Sequence, residues 1–284
     1  MEDDFSLRDA TIGIFGLGLM GGSLALALKE HCSRVIGFDS DPSALELALS
    51  KNIVDQAGVS PLKSLHQVDI FILATPIPVI LDLIQQLPAL YTNPCIVMDL
   101  GSTKRDIVDA MTTLPECFEP IGGHPICGKE KLGLENADQN LYRDAPFVIT
   151  PLERTTQRAR SAVTQIISVI GATSLEMTAE EHDNILASTS HLPFLISSAL
   201  ARATPQEFAP LTGSGFRSTS RLAGTSSSMM MGVLKSNREN ILKAIKEFYS
   251  SLHEMETALQ DENYIELELI LNQSRTSYLS VISN

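Results

Sequence analysis

The chain of 284 residues is 44% hydrophobic and 19% charged, which supplies enough apolar material for a packed core and excludes intrinsic disorder. Its 34 acidic and 21 basic residues give a formal net charge of −13, which repels polyanions and argues against nucleic acid and anionic membranes as partners. The acidic start of the sequence lacks the features of a signal peptide, and the longest apolar run is far short of the roughly 20 residues that cross a membrane, so we expect a soluble cytoplasmic protein.

Short β-branched runs alternate with helical patterns in the first half of the chain. Strands are predicted over Thr11–Phe15, Arg34–Phe38, 68–74, 96–100, 118–121 and 147–149, and helices over 21–30 and 43–51. Strands that alternate with helices of this size indicate βαβ units. The pattern predicts a Rossmann-type, doubly wound and mostly parallel sheet that is covered on both faces.

The second half has a different pattern, because no strand is evident from about residue 178 onward. Long helices are predicted over 180–203 and 237–271, whereas 213–231 is rich in Gly, Ser and Thr and is expected to form a loop or several short turns. In the later helix, apolar residues recur at spacings of three and four, which predicts one buried face: Ile241, Ile245, Phe248 and Leu252. We therefore predict two domains, an α/β nucleotide-binding domain over 1–175 and an all-α domain over 176–284.

A glycine-rich turn joins the first predicted strand to the first predicted helix. The segment GLGLMG fits the pattern G-x-G-x-x-G in the strand–turn–helix context that a dinucleotide site requires. The first glycine permits the tight turn, the second lets the backbone approach a pyrophosphate, and the third lets the helix pack closely on the sheet. The helix N-terminus adds unpaired N–H groups for the phosphates. The predicted cofactor contacts here are Gly16, Leu17, Gly18, Leu19, Met20 and Gly21.

Two later strand ends add to this cofactor site. Asp39 ends the second predicted strand, where a carboxylate bonds the ribose hydroxyls of NAD and repels the 2′-phosphate of NADP. No arginine follows it directly, so NAD is the predicted cofactor. Thr75 and Pro76 follow the third long strand, at the sheet edge where ligands of such folds bind, although an ordinary strand-ending turn explains them equally well.

Candidate reactive groups lie in three polar clusters: 99–104 (DLGSTK), 122–128 (GGHPICG), and 190–193 (SHLP) together with 215–221 (GFRSTSR). An enzyme that oxidises an alcohol with nicotinamide needs a base for the hydroxyl proton, and neutral imidazole suits this role. His124 lies between glycines and a proline in an expected loop, and is the predicted base; a structural histidine is the alternative. Ser102, at another strand end, is predicted to orient His124 or to share the substrate hydroxyl.

Two arginines and four cysteines complete the candidates. Arg217 and Arg221 are four residues apart, so on a helical turn both would face one way and each could bind a carboxylate; surface ion pairing is the alternative. The cysteines form no CxxC pair and no metal-ligand spacing, so we expect reduced thiols and no metal: Cys32, Cys95, Cys117 and Cys127.

Seven segments, taken in order, resemble the prephenate/arogenate dehydrogenase family of tyrosine biosynthesis: GLGLMGGSLA, VDIFILATP, DLGSTK, IGGHPICGKE, EEHD, SHLPF and GFRSTSR. The resemblance runs from Ile12 to about Arg238. It implies NAD-dependent oxidative decarboxylation of prephenate to 4-hydroxyphenylpyruvate, or of arogenate to tyrosine. It also implies an all-helical C-terminal domain that forms a homodimer.

The same resemblance implies a role for each candidate residue. His124 would accept the hydroxyl proton, Ser102 would bond His124 and that hydroxyl, and His191 would line the substrate pocket. Arg217 and Arg221 would hold the substrate carboxylates. His182, in the EEHD segment, is interpreted as a structural residue at a domain hinge.

Two departures from the family pattern and two alternative functions remain. Ser218 stands where an acid often follows the first arginine, and Phe194 stands where many prephenate-type members carry a second histidine. The latter weakens a prephenate-only assignment, and the choice between the two substrates stays open. A β-hydroxyacid dehydrogenase would need a catalytic lysine on the helical domain, and none lies near residues 190–194. A non-catalytic NAD sensor would not need His124, Ser102 and paired arginines.

Overall fold

The structure, a computed structural model, describes residues 5–59, 67–129 and 131–282. Within these ranges it contains eight strands: β1 Thr11–Phe15, β2 Arg34–Phe38, β3 Gln56–Gly58, β4 Ile70–Leu73, β5 Cys95–Asp99, β6 Phe118–Pro125, β7 Pro146–Pro151 and β8 Thr173–Glu176. The α-helices of these ranges are α1 Leu19–Leu28, α2 Pro42–Ser50, α3 Ile77–Leu90, α4 Arg105–Thr112, α5 Gln157–Ile170, α6 Ala179–Leu186, α7 Leu192–Ala203, α8 Ser214–Ser220, α9 Ser227–Ser236, α10 Arg238–Gln260 and α11 Tyr264–Ile282.

The strands form one sheet in the order β3-β2-β1-β4-β5-β6-β7-β8. Neighbouring strands are parallel except β6 and β7, which run antiparallel. This arrangement confirms the predicted Rossmann-type, doubly wound and mostly parallel sheet. β3 and β8 were not predicted from the sequence, because both are short edge strands without an apolar run.

Alternate residues of the central strands point to opposite faces, and each face has its own hydrophobic core. Ile12 and Ile14 of β1 pack with helices α1, α2 and α5 on one face. Phe15 of the same strand packs with α3 and α4 on the other. Both faces are therefore covered, as the nearly continuous apolar strands predicted.

The chain after β8 is helical throughout the described range up to residue 282. The helix predicted over 180–203 is observed as α6 and α7 with a π-helical turn, Ala187–His191, between them. The helix predicted over 237–271 is interrupted between α10 and α11, where Glu262 has a positive φ of 53°. No helix in the described part of the chain is both long enough and apolar enough to span a membrane.

Of the two alternatives predicted for 213–231, the loop is wrong and several short turns is nearer, because the segment forms the short helix α8, a 3₁₀ turn at Arg221–Gly224 and the start of α9. Its Gly, Ser and Thr residues have low helix propensity, but tertiary contacts compensate. Ser197 on α7 donates a hydrogen bond to the carbonyl of Thr219 at 2.6 Å. Met230 of α9 packs into the core beside α3.

The buried face predicted for α10 is only partly correct. Ile241 is 4% exposed and packs in a small core. Ile245, Phe248 and Leu252 are 36%, 38% and 51% exposed. The periodicity identified an apolar face, but the described residues of this one chain do not cover it.

Candidate active site

The glycine loop has the geometry that its sequence predicts. Gly16 has a φ of 90°, and a Cβ there would lie 2.6 Å from the carbonyl oxygen of Ala74. A Cβ at Gly21 would collide with the carbonyl oxygen of Gly16, so this glycine allows α1 to pack closely on the turn. Gly18 differs, since a Cβ there would meet no atom within 4 Å. Packing within the described part of the protein therefore does not require glycine at position 18. Close approach of a dinucleotide pyrophosphate to this backbone would explain why a glycine stands there.

Asp39, at the end of β2, holds the turn from the other side. Its Oδ2 accepts a hydrogen bond from the Leu17 backbone at 2.7 Å, and its Oδ1 accepts one from the Asp41 backbone at 2.9 Å. The carboxylate lines a cavity of about 240 Å³ together with Gly16, Phe38 and Thr75. This position fits the ribose of a dinucleotide, because oriented carboxylate oxygens can still accept from its hydroxyls.

Thr75 contributes a second sign of a ligand. Its Oγ1 is buried and has no hydrogen-bond partner among the described residues. Thr75 lines both the cavity at Asp39 and a cleft of about 410 Å³ that it shares with Gly18 and Pro76. A buried polar group without a partner is costly, so a bound dinucleotide that supplies one fits this position.

The larger cleft lies between the sheet and the helices that follow it. Gly18, Leu19, Met20 and Ser102 line it from the sheet side, whereas Met229 lines it from α9. A neighbouring cleft of about 350 Å³ is lined by Gly128, Lys129 and Arg221, and shares three of its lining residues with the first: Leu132, Ser226 and Met229. The cofactor residues and Arg221 therefore lie on adjoining clefts.

His124 lies in β6 and not in the predicted loop. It pairs with Val148 of the antiparallel strand β7, which extends β6 to Pro125. Gly122 and Gly123 permit this extension, because a Cβ at Gly122 would collide with the Thr150 hydroxyl and one at Gly123 would lie 2.9 Å from the Asp99 carbonyl oxygen. The strand holds the half-buried imidazole more rigidly than a loop would.

His124 is the first of three side chains that are linked in series by short polar contacts. Its Nδ1 lies 2.8 Å from Nε2 of His182, and Nδ1 of His182 lies 2.7 Å from Oδ1 of Asp183. Asp183 also accepts hydrogen bonds from the backbone N–H groups of Lys104 at 2.7 Å and Arg105 at 3.0 Å. His182 was interpreted from the sequence as a structural residue, and its only signal was a histidine–aspartate pair at the start of a helix.

Burial and charge set the protonation states along this series. Burial, followed by the nearby His182 and Lys104, lowers the pKa of His124 well below its ordinary value of 6.5. Burial raises the pKa of Asp183, but hydrogen bonds from His182, Arg105 and Lys104 outweigh it and leave that pKa below 3.8. Near neutral pH, His124 is therefore a neutral imidazole and Asp183 a carboxylate.

Lys104 fastens the strand that carries His124 to its neighbour. Its fully buried ammonium donates hydrogen bonds to the Asp99 carboxylate at the end of β5 and to the Gly123 carbonyl at 2.6 Å. Burial lowers the pKa of Lys104, and the charge of Asp99 opposes that shift. The sequence placed Lys104 in a candidate cluster but assigned it no role.

His191 ends the π-helical turn and is almost completely buried. The Asn237 amide donates one hydrogen bond to the Asp183 carbonyl at 2.6 Å and lies 3.1 Å from Nδ1 of His191. Burial lowers the pKa of His191 to about 4, so its imidazole is neutral at pH 7 and accepts from this amide. Its remaining nitrogen, Nε2, then carries the proton.

The other predicted residues are placed less directly. Ser102 lies on the cleft wall and, within the described part of the chain, makes no hydrogen bond to His124. Arg221 lines the adjoining cleft. Arg217 is exposed and its Nε donates to the Thr212 carbonyl at 3.4 Å. Because α8 ends at Ser220, a continuous α-helix does not join the two arginines. Their carboxylate-binding roles and the orienting role of Ser102 stay predictions.

Taken together, a mostly parallel sheet, a glycine turn with an open second glycine and a neutral histidine near the end of β6 define a dinucleotide-binding oxidoreductase. Residues 24–176 match the family model described as "Prephenate dehydrogenase, nucleotide-binding domain", and residues 178–273 match "Prephenate dehydrogenase, dimerization domain". The chain belongs to the prephenate dehydrogenase family, and its cofactor is NAD.

Known relatives agree along most of their length. The prephenate dehydrogenase of Bacillus subtilis is 30% identical over 263 residues, which cover 89% of this chain and 71% of that protein. A crystal structure of prephenate dehydrogenase from A. aeolicus, in complex with hydroxyphenyl propionate and NAD+, has a TM-score of 0.89 at 28% identity and covers 98% of this chain and 100% of that one. Synechocystis arogenate dehydrogenase has a TM-score of 0.83 at 30% identity and covers 96% and 100%.

Proposed function

We propose that this chain oxidises the ring alcohol of prephenate or arogenate with NAD+ and releases CO2, in the biosynthesis of tyrosine. The observation that carries the proposal is the neutral His124, held on β6 by a hydrogen-bonded chain in a family whose members act on these substrates. A neutral imidazole is the base that removal of a hydroxyl proton requires.

His124 accepts the hydroxyl proton of the substrate while the hydride of the same carbon leaves. NAD+, when bound by the glycine loop, Asp39, Thr75 and Pro76, supplies the hydride acceptor. The ring carboxylate then departs as CO2, because the new carbonyl accepts its electron pair and the ring becomes aromatic. No covalent bond between this chain and the substrate is needed for this sequence.

Polar groups around the cleft hold the substrate in this proposal. Ser102 bonds the reacting hydroxyl and supports His124 from the cofactor side of the cleft. Arg221, on the adjoining cleft, and Arg217 bind the substrate carboxylates. His191 lines the pocket from the helical domain and offers the N–H of its Nε2.

Initial rates of NADH formation, followed by absorbance, test this function. Prephenate and arogenate are assayed separately with purified protein, each with NAD+ and with NADP+. We expect turnover with at least one substrate and a clear preference for NAD+, and the ratio of kcat/KM values identifies the better substrate. No rate in any of the four assays, with NAD+ binding intact by calorimetry, would refute the proposed substrate class.

We also propose that two copies assemble through the helical half of a chain divided into domains at 1–175 and 176–284. β8 ends at Glu176 and α6 begins at Ala179, which supports that division. The exposed apolar residues Phe248 and Leu252 on α10 and Ile265 on α11 provide a surface suited to a second copy. Sedimentation equilibrium measures the assembly.

We also propose a cytoplasmic location, which the free state of all four cysteines supports.

A further inference from the structure

We infer that His182 and Asp183 are positioning residues that fix the tautomer of His124, so that its Nε2 is the basic atom presented to the substrate. The inference rests on the proposed function for its chemical meaning, but its structural content concerns only this chain. A base with the wrong tautomer presents an N–H to the substrate and cannot take its proton. The identity of the protonated nitrogen on His124 therefore decides whether the residue works.

The argument starts at Asp183, whose carboxylate can only accept hydrogen bonds when ionised. Its Oδ1 receives the Lys104 backbone N–H at 2.7 Å and its Oδ2 receives the Arg105 backbone N–H at 3.0 Å. These two amides begin α4, and the helix end favours a negative charge at this position. Asp183 is buried and held from two directions, so its charge and orientation are fixed.

His182 is the next link. Its Nδ1 lies 2.7 Å from the Asp183 carboxylate and must donate, because the carboxylate has no proton to give. A neutral His182 then has a bare Nε2. With both imidazoles neutral, Asp183 therefore decides which nitrogen of His182 carries the hydrogen.

His124 completes the chain. Its Nδ1 lies 2.8 Å from the bare Nε2 of His182, so Nδ1 must carry the hydrogen that joins them. That leaves Nε2 of His124 without a proton and free to accept one. With both imidazoles neutral, the order of protons along Asp183, His182 and His124 follows from the hydrogen-bond network.

The hydrogen-bonded series Asp183, His182 and His124 also joins the two halves of the molecule. His182 and Asp183 belong to α6, whereas His124 and the two amides that hold Asp183 belong to the sheet half. The helical half must therefore be docked before His124 has its working tautomer. The same docking includes a hydrogen bond, 2.8 Å long, between the hydroxyls of Thr103 and Ser236.

Nitrogen-15 NMR of histidine-labelled protein measures the tautomer directly, with the His124 signals assigned by their loss in His124→Gln. In the wild type we expect a protonated Nδ1 and an unprotonated Nε2 on His124. In Asp183→Leu, His182 loses the acceptor for its Nδ1–H, so His124 should no longer be held as the Nδ1–H tautomer. We expect kcat to fall about tenfold or more with unchanged NAD+ affinity.

Three further variants keep the test decisive if Asp183→Leu fails to fold. His182→Gln retains an acceptor for His124 and should keep the Nδ1–H tautomer and most of the activity. His182→Leu removes that acceptor and should lose both. Ser236→Ala removes the Thr103 hydrogen bond at the same interface and should change neither.

A wild-type His124 protonated on Nε2, or a charged His182, would overturn the inference, as would an Asp183→Leu protein with an unchanged tautomer. A wild type with the expected tautomer and no turnover of either substrate supports the inference and refutes the proposed function instead.

Discussion

The cofactor site and the surroundings of His124 differ in how far apart in the sequence their residues lie. In the cofactor site, the glycine turn lies within Gly16 to Gly21, and Asp39 joins it from a neighbouring strand. Around His124, the contact with His182 joins residues 58 positions apart, and Asp183 is held by the start of a third element, α4.

This difference affects how each region responds to change. The glycine turn is determined by the positive φ of Gly16 and by close approaches to the backbone of Gly16 and Ala74, so a substitution there acts on a few steric contacts. The histidine chain is determined by docking of the helical half on the sheet, so a change in any link alters the protonation of the next. The following predictions test that contrast, from the largest expected effect to the smallest.

Replacement of the base should produce the largest loss. His124→Asn removes the proton acceptor and should lower kcat by about 100-fold or more, the usual contribution of general-base catalysis. NAD+ binding should persist, because the glycine loop and Asp39 do not contact this residue. Steady-state kinetics and calorimetry measure the two quantities on one preparation. A variant that retained near-wild-type turnover would remove His124 from the mechanism.

Acid should destabilise the protein through its buried histidines. Burial holds the pKa of folded His191 at about 4, whereas the unfolded residue has the ordinary value of 6.5. As pH falls below 6.5, only the unfolded chain gains this proton, so stability declines until about pH 4. The loss from this residue is at most about 3 kcal/mol.

Urea unfolding between pH 7 and pH 5 measures this decline. His191→Gln should make the free energy of unfolding less dependent on pH, with His124 accounting for part of the remaining slope. His253→Gln is the matched control, because His253 is exposed beside Glu256 on α10 and should leave the slope unchanged. An equal slope in the wild type and His191→Gln would contradict the prediction.

A pair of glycine variants separates folding from cofactor binding within one turn. Gly21→Ala places a Cβ against the Gly16 carbonyl oxygen and should destabilise the protein by about 1–3 kcal/mol. Gly18→Ala meets no protein atom and should leave thermal stability unchanged while it weakens NAD+ binding. Thermal melts without cofactor, followed by NAD+ titration, distinguish them. Equal NAD+ affinity of Gly18→Ala and the wild type would refute the predicted pyrophosphate approach.

The smallest expected effect concerns the arginines. Arg221→Ala should raise the substrate KM about tenfold, because a charged hydrogen bond of an exposed side chain contributes near the lower end of about 1.5–3 kcal/mol, and should leave kcat nearly unchanged. Arg217→Ala is the comparison, since both side chains are exposed but Arg221 lines the cleft and Arg217 is not among the residues that line it. An unchanged KM in Arg221→Ala would show that the carboxylate is held elsewhere.

The sequence by itself determined the Rossmann-type sheet and the geometry of the glycine turn. Strands β1 and β2 have the predicted bounds, and the glycine turn between β1 and α1 has the predicted geometry. These features depend on interactions between near neighbours: apolar runs that form strands, and glycines that permit a turn no other residue adopts at Gly16. The spacing of residues in the chain therefore carries the information.

The tertiary structure alone decided the surroundings of His124. The sequence predicted a histidine in a loop, but pairing with β7 placed it in a strand. It interpreted His182 as a structural residue and did not predict its contact with His124. The Asp183–His182–His124 series forms only where α6 meets the sheet. It also treated 213–231 as irregular, although packing against α7 and α3 makes most of it helical. Contacts between distant segments outweigh local propensity there, and no local spacing records them.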